Sequence, residues 1–363
     1  MRTALLGDMA FFGSYSLTQN SQLKENLKEV SDYLGGFDYV VGNLETPFSH
    51  LKKTSGAKSA YICADKENVE LLKLLHVNAV TLANNHMFDF GNEGYELTKN
   101  LLKEVSIEWF GAEGKNLQVG KAGGRVAFSG YCCYSSNPLM CVKNGEYGVD
   151  AYNLKEAEAF IDGCEAKRYL PVLAIHAGLE HVNYPSLDHV RAARLLSKKG
   201  KFVYYGHHPH VVQGIEEHSG SLIAHSLGNF CFDDVYTNTS KTTPLVKLTE
   251  NNRSGMILEL TVEGNQLVDW RVQAIHIGEN GKISLIDAEP LFKKYNEALV
   301  SCENNVEEYS ARRNAILKSR ISERKAKRDL NWYLKRLRPR YFRLVLDMRR
   351  NQNLYNENVK QFL

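Results

Sequence analysis

The sequence predicts an α/β fold with layered sheets, on two observations. Short apolar runs alternate with amphipathic helical stretches from Thr3 to about His210, and that alternation builds sheets covered by helices. The runs also end, one after another, on Asp, Glu, Asn or His, and strand ends are where α/β proteins build sites. With 363 residues, 43% hydrophobic and 24% charged, the chain can bury a full core.

In order, Thr3 to Leu6 reads as a strand ending at Gly7-Asp8, and Leu23 to Leu34 as a helix. Tyr39-Val40-Val41 is a second strand, running out into Gly42-Asn43-Leu44-Glu45. Glu67 to Leu75 is helical. Ala79 to Leu82 is a third strand, leading into Asn84-Asn85-His86 and Asp89, and Glu93 to Glu104 is the next helix. Arg125 to Tyr131 and Leu170 to Ile175 read as strands, the second ending on His176. Leu154 to Ala166 and Leu187 to Lys198 read as helices. Phe202 to Tyr205 is a strand running into Gly206-His207-His208-Pro209-His210, and Ser221 to Ala224 another. From Gly255 to His276 the period-2 alternation predicts an antiparallel hairpin around Glu263-Gly264-Asn265. Past Leu291 the texture turns to long helices, which divides the chain into a body, 1–290, and an extension, 291–363.

Charge follows that division. Between Ala311 and Arg350 stand fifteen Lys and Arg against three acids, whereas the whole chain nets only +3. An acidic body therefore carries a basic tail. Leu330, Tyr333, Leu334 and Leu337 recur there at helical spacing, and Tyr341 to Leu346 form a short amphipathic piece. Two readings stay open: docking on an anionic membrane surface, or packing on the body or on a second copy in a homo-oligomer. No nucleic-acid recognition motif is present. The seven cysteines show no Cys-x-x-Cys spacing, which points to a reducing compartment. Met1 to Leu6 is too short for a signal peptide, and no run reaches the ~20 apolar residues of a membrane helix. The expected location is cytoplasmic, with the tail allowing a peripheral position at the inner face of the membrane.

In an extended backbone His208 and His210 would project to the same side, where one divalent cation could hold their neutral rings. Asp8, Glu45, Asn85, His86 and His176 lie at other strand ends. The residue types suit metal chemistry: carboxylates bridge cations, imidazoles hold Zn, Mn or Fe, and a neutral Asn oxygen fills a position without adding charge. An unligated His can protonate a leaving group. Singly, each has a plain reading, Asp8 as a helix cap, Asn85 in a turn, His176 as a core histidine.

Together the blocks Gly7-Asp8, Asn43-Leu44-Glu45, Leu82-Ala83-Asn84-Asn85-His86 with Asp89 and Gly91, Ile175-His176, Gly206-His207-His208-Pro209-His210-Val211 and Ser226-Leu227-Gly228-Asn229-Phe230 resemble the motifs of the CapA family. These are bacterial capsule synthesis proteins related to calcineurin-type metallophosphoesterases. The resemblance covers about Arg2 to His276. It implies a metallophosphatase-like four-layer α-β-β-α sandwich, here with a C-terminal helical extension, and one or two divalent transition metal ions, Mn, Zn or Fe. It implies Asp8, Glu45, Asn85, His176, His208 and His210 as metal ligands and His86 and Asp89 as catalytic. Asn43, Asn84, Glu180, Tyr184, His207 and Asn229 would contact the substrate, a polymer or phosphoester. Ala10 stands where the wider superfamily has a ligating His. The function implied is a metal-dependent hydrolase of capsule or surface-polymer synthesis, poly-γ-glutamate or polysaccharide. The alternative is a non-catalytic polymer-binding or assembly component.

Overall fold

The structure, a computed structural model, describes all residues except 51–59, 137–140, 143–146, 237–242 and 327–338. The chain runs β1 (Arg2–Met9), α1 (Leu23–Asn26), α2 (Lys28–Leu34), β2 (Tyr39–Leu44), α3 (Glu70–Leu74), β3 (Ala79–Thr81), α4 (Gly91–Glu104) and β4 (Glu108–Phe110). Next come β5 (Leu117–Lys121), β6 (Gly124–Cys132), β7 (Cys141–Val142), β8 (Val149–Asp150), α5 (Leu154–Ala166), β9 (Leu170–His176), α6 (Leu187–Ser197), β10 (Val203–His207), β11 (Ile215–His218) and β12 (Ser221–Ala224). Then β13 (Asn229–Cys231), β14 (Ser254–Glu263), β15 (Gln266–Ile277) and β16 (Ile283–Ile286) lead to α7 (Glu289–Asn304), α8 (Val306–Ala326) and α9 (Pro339–Asn358).

Alternation along β1 sets the layering. Leu5 faces a cluster with Val41, Val126, Phe128, Val172, Val203, Tyr205 and Leu258, which lies between two sheets. Its neighbours Ala4 and Leu6 face the other way, onto Leu23, Val30, Leu34, Leu71 and Leu72 of the first helices. Likewise Val172 faces inward, while Leu173 and Ile175 meet Leu154, Ile161, Ala192 and Leu196 of α5 and α6. The result is helices, sheet, sheet, helices: an α-β-β-α sandwich. One sheet has the order β16-β15-β14-β1-β2-β3-β4 with β13 also paired to β1, and the other β11-β12-β10-β9-β6-β5. β1, β2, β3 and β4 are mutually parallel, as are β6, β9, β10 and β12. Their C-terminal ends therefore gather along one edge of each sheet.

Two glycines let backbones meet at that edge. A Cβ on Gly7 would lie 2.1 Å from Gly228 O, and one on Gly206 would lie 1.9 Å from His225 O. With neither present, Asp8 N–H donates to Gly228 O at 2.9 Å, locking β13 beside β1.

Some elements differ from the sequence expectation. The helix expected over Leu23 to Leu34 breaks at Leu27 into α1 and α2. The expected Glu67–Leu75 helix begins with a tighter 3₁₀ turn over Lys66–Val69. β4, β5, β11 and β16 carry too few residues or too polar a face to read as strands from sequence. The β14–β15 hairpin does form, with Glu263 paired to Gln266 and Gly264 at φ 56, a positive φ that two-residue loops favour.

The C-terminal helices touch both the sheet edge and the outer helical layer. Tyr295 and Leu299 of α7 pack over Gly214. The buried Tyr309 of α8 donates its hydroxyl to Pro185 O at 2.7 Å. Tyr355 of α9, with Val359 beyond it, joins the cluster of Leu173 and Ile175. Val345, Leu346 and Met348 of α9 are 48%, 63% and 55% exposed. The expected helical residues Leu330, Tyr333, Leu334 and Leu337 lie outside the described residues. No described helix is long and apolar enough to cross a membrane.

Candidate metal centre

Asp8 is near the end of β1, Asn43 in β2 with Glu45 just beyond it, and Asn84, Asn85 and His86 follow β3. From the second sheet come His176, ending β9, and His207, ending β10, with His208 and His210 in the loop that follows. Parallel pairing sets His207 beside His176 and Asp8 beside both Asn43 and Asn229. All of these residues are buried.

The carboxylates form one half. Ligand atoms of Asp8, Glu45 and His210 all lie within 4.8 Å of one another. His210 Nδ1 is 3.4 Å from Asp8 Oδ2, and His210 Nε2 is 3.4 Å from Glu45 Oε1. Asp8 also accepts from Asn43 Nδ2 at 2.8 Å and from the His208 backbone N–H at 3.2 Å. Burial opposes the charge on Asp8, but His207 and His210 outweigh it and hold the carboxyl well below its ordinary value. Burial also pulls His210 down, and Glu45 and Asp8 reverse it, raising the ring to about 10. This half calls for positive charge.

The other half is neutral. Asn85 Oδ1 sits 2.9 Å from His176 Nε2, and the His176 and His208 rings are 4.8 Å apart. Burial lowers His208 to about 3. Burial first and the neighbouring His208 second push His176 well below the usual histidine range. Both rings are thus neutral, with lone pairs available.

An extended loop does not place His208 and His210. Both adopt left-handed backbone, φ 93 and φ 55. His208 falls over His176, whereas His210 lies against the Phe232 ring at 4.6 Å; the two ring centres are 6.1 Å apart. A turn of that kind distributes the pair between the two halves, where an extended strand would have put them side by side.

His86 stands near the second half. Its Nδ1 is 2.6 Å from Asp89 Oδ2, and Asp89 also accepts from Ile62 N–H at 3.0 Å. Asn84 ties the strands together, donating to Asn43 Oδ1 and Leu44 O while accepting from His86 N–H. His207 is 1% exposed, its Nδ1 3.3 Å from Asp8 Oδ1, so it lies behind the carboxylate. Glu180 is half-buried and its charge reaches His208 and His210. Tyr184 packs edge-on against Tyr309 at 5.5 Å. Asn229 is fully buried, with Oδ1 2.9 Å from His210 Nδ1.

Three neighbours escaped the sequence reading: Phe232, His181 and Asn252. Asn252, 0% exposed, donates to His210 O and contacts His181 Nδ1, each at 2.8 Å. Its only sequence signal is a polar Thr249-x-x-Asn252 turn before a strand, which is common in loops.

The residues fit a divalent cation. Two buried carboxylates beside each other need compensating positive charge. His208 Nδ1 is buried without a hydrogen bond, which is costly for a polar atom unless something else uses it. Carboxylate oxygens with imidazole nitrogens suit zinc, manganese or iron. At the departure noted above, Ala10 is buried among Ile62, Phe232, Val235 and Leu248, so apolar side chains fill the place of that ligand.

Comparison with known proteins adds the following. The model of the bacterial capsule synthesis protein PGA_cap matches residues 2–234. The PGA biosynthesis protein CapA of Bacillus subtilis (strain 168) is 29% identical over 252 residues, 66% of this chain and 65% of that protein. The capsule biosynthesis protein CapA of Bacillus anthracis is 31% identical over 246 residues, 64% of this chain and 59% of that one. The chain thus spans less than two thirds of the length of either relative. A hypothetical protein from Thermus thermophilus superposes with a TM-score of 0.44 at 15% identity, covering 76% of this chain and 98% of that one.

Proposed function

The chain belongs to the bacterial capsule synthesis protein PGA_cap family, and from that premise we propose that it is a metal-dependent hydrolase acting on a phosphoester or amide bond in the synthesis of a capsule polymer. The observation that carries the reading is the convergence of Asp8, Glu45 and His210 within 4.8 Å, fully inside the protein. Asp8, Glu45 and His210 would hold a first ion, with Asn85, His176 and His208 completing the set or holding a second. A bound divalent ion supplies charge to polarise the scissile group and an acidified water as nucleophile. His86 carries the proton for the leaving group. Asp89 fixes the His86 ring through Nδ1, so Nε2 is the atom that exchanges that proton. Glu180 adds negative charge felt by His208 and His210. The exposed Val345, Leu346 and Met348, on a helix rich in arginine, suit contact with an anionic membrane surface.

A second reading, a component that holds the polymer without cleaving it, is favoured by Ala10 and its apolar surroundings. One experiment separates the two. The full chain is stripped of metal, reloaded with manganese or zinc, and assayed on a generic phosphodiester and on a γ-linked glutamate oligomer. The hydrolase reading expects metal-restored turnover of one of them, abolished by His86→Ala. Stoichiometric metal with oligomer binding and no turnover would leave the holding role.

A further inference from the structure

One neutral side chain, Asn43, touches both halves of the site, and its amide can point only one way. The orientation starts at Asn84. Its Nδ2 lies 2.8 Å from Leu44 O, a carbonyl that can only accept, and its Oδ1 takes the His86 backbone N–H at 3.1 Å. A flipped amide would set oxygen against carbonyl and N–H against N–H. The second hydrogen on Asn84 Nδ2 goes to Asn43 Oδ1, 3.1 Å away. Asn43 therefore turns its own Nδ2 the other way, to Asp8 Oδ1 at 2.8 Å and toward His176 Nδ1 at 3.5 Å. Those two partners belong to opposite halves. Both asparagines are buried, so water offers their amides no easy alternative.

A hydrogen-bond donor thus stands at the seam between the halves. Two divalent ions side by side repel each other and need negative charge between them. An amide N–H offers neither negative charge nor a lone pair. Asp8 does not supply the bridge, since its Oδ1 accepts from Asn43 while its Oδ2 faces His210 at 3.4 Å. Among the described residues, Asp8, Glu45 and His210 are the one group of three His, Cys, Asp or Glu whose ligand atoms lie within 4.8 Å of one another. Neither His176 nor His208 joins a carboxylate in such a group. We infer that Asn43, held in this orientation by Asn84, restricts the centre to a single ion, seated by Asp8, Glu45 and His210. Asn85, His176 and His208 then hold no ion of their own. Asn43 and Asn84 are positioning residues. The inference rests on the metal reading of the site and is independent of whether the chain hydrolyses anything.

The test counts ions on the full chain. Protein stripped of metal is loaded with excess zinc, dialysed to remove loosely held ions and measured by elemental analysis. Wild type should keep one zinc per chain. Its zinc X-ray absorption should lack the metal–metal scattering of a pair roughly 3.5–4 Å apart. Asn43→Asp exchanges the N–H for a carboxylate oxygen at nearly the same size. It should keep two zinc ions and show that scattering, with melting curves confirming that the variant is folded. Two ions in wild type overturn the inference and leave the metal reading standing. A folded Asn43→Asp that keeps only one overturns the role given to Asn43. Should that variant not fold, the wild-type count and spectrum decide on their own. A wild type that keeps no zinc sinks the metal reading, and the single seat with it.

Discussion

The two halves of the site use the same residue type in opposite electrostatic states. His210 lies between Asp8 and Glu45 and is pulled up to about 10. His208, only 6.1 Å from it ring to ring, is held down to about 3 by burial. The difference lies in what each sheet contributes. The first sheet brings Asp8 and Glu45 to His210, whereas His208 meets His176 of its own sheet. An ion in the carboxylate half replaces a proton and relieves repulsion, whereas one in the imidazole half gains only lone pairs. The carboxylate half should therefore bind first and hold harder.

Four predictions would break or sharpen that contrast. The largest effect is expected outside both halves, at His86. His86→Ala should lose ~10²–10⁴-fold in turnover as a general acid does while keeping its metal, checked by steady-state kinetics beside elemental analysis. Parallel loss of metal would make His86 part of the neutral half.

Next comes the contrast itself. Asp8→Asn or Glu45→Gln should weaken metal binding by about a hundredfold or more, because the remaining carboxylate loses the charge arrangement built around it. His176→Ala and His208→Ala should weaken it by roughly tenfold, toward the lower end of what outer ligand partners cost. Competition against a chelating dye measures all four. Equal losses would erase the distinction between the halves.

A carboxylate–histidine pair that includes none of the site residues is the control. Glu216 accepts from Arg194 Nε at 3.0 Å and lies 3.0 Å from His225 Nε2. Burial opposes its charge, yet His225 and Arg194 lower its carboxyl to about 2. Its folded value lies below the ~4.3 of an unfolded glutamate, so the stability it contributes is present above that value. That stability is lost as the pH falls from there through about 2. Denaturant titrations of Glu216→Gln should show a flatter decline in that window, with bound metal unchanged. A neutralised pair of this kind needs no cation, so any metal loss in the variant would undo the contrast drawn above.

The smallest effect is at the far end of the chain. Leu346→Ser changes no charge and removes an apolar group that lipid would bury, so binding to anionic vesicles should fall about fivefold. Co-sedimentation reads it, and full-length protein that ignores such vesicles at low salt would remove the membrane from the picture.

The layered α/β fold and the strand-end positions of Asp8, Asn85, His176 and the histidine loop were legible because buried strands advertise themselves as apolar runs and their ends follow, whereas the four-layer sandwich came only with the family resemblance. Strand β4, only Glu108-Trp109-Phe110, was too short to register, and β5 alternates too weakly. The pairing of His208 with His176 and of His210 with Asp8 was not legible, because it depends on left-handed backbone at two non-glycine residues. Asn252 and His181 meet across 71 positions of sequence. Nothing local marks either residue, and they meet only where the loop after β9 and the loop before β14 come together.

The long closure of β1 has a kinetic consequence. The amino group of Met1 bonds to Val262 O, 261 residues along the chain, and β1 finds its antiparallel neighbour only when β14 exists. Ribosomes add roughly 5–20 residues per second, so β1 spends on the order of 10–50 s without its antiparallel neighbour. Contacts of such long sequence separation are also slow to form. Asp8 itself is enclosed once Asn229 of β13 pairs with it, so the centre closes before the sheet that carries it is complete.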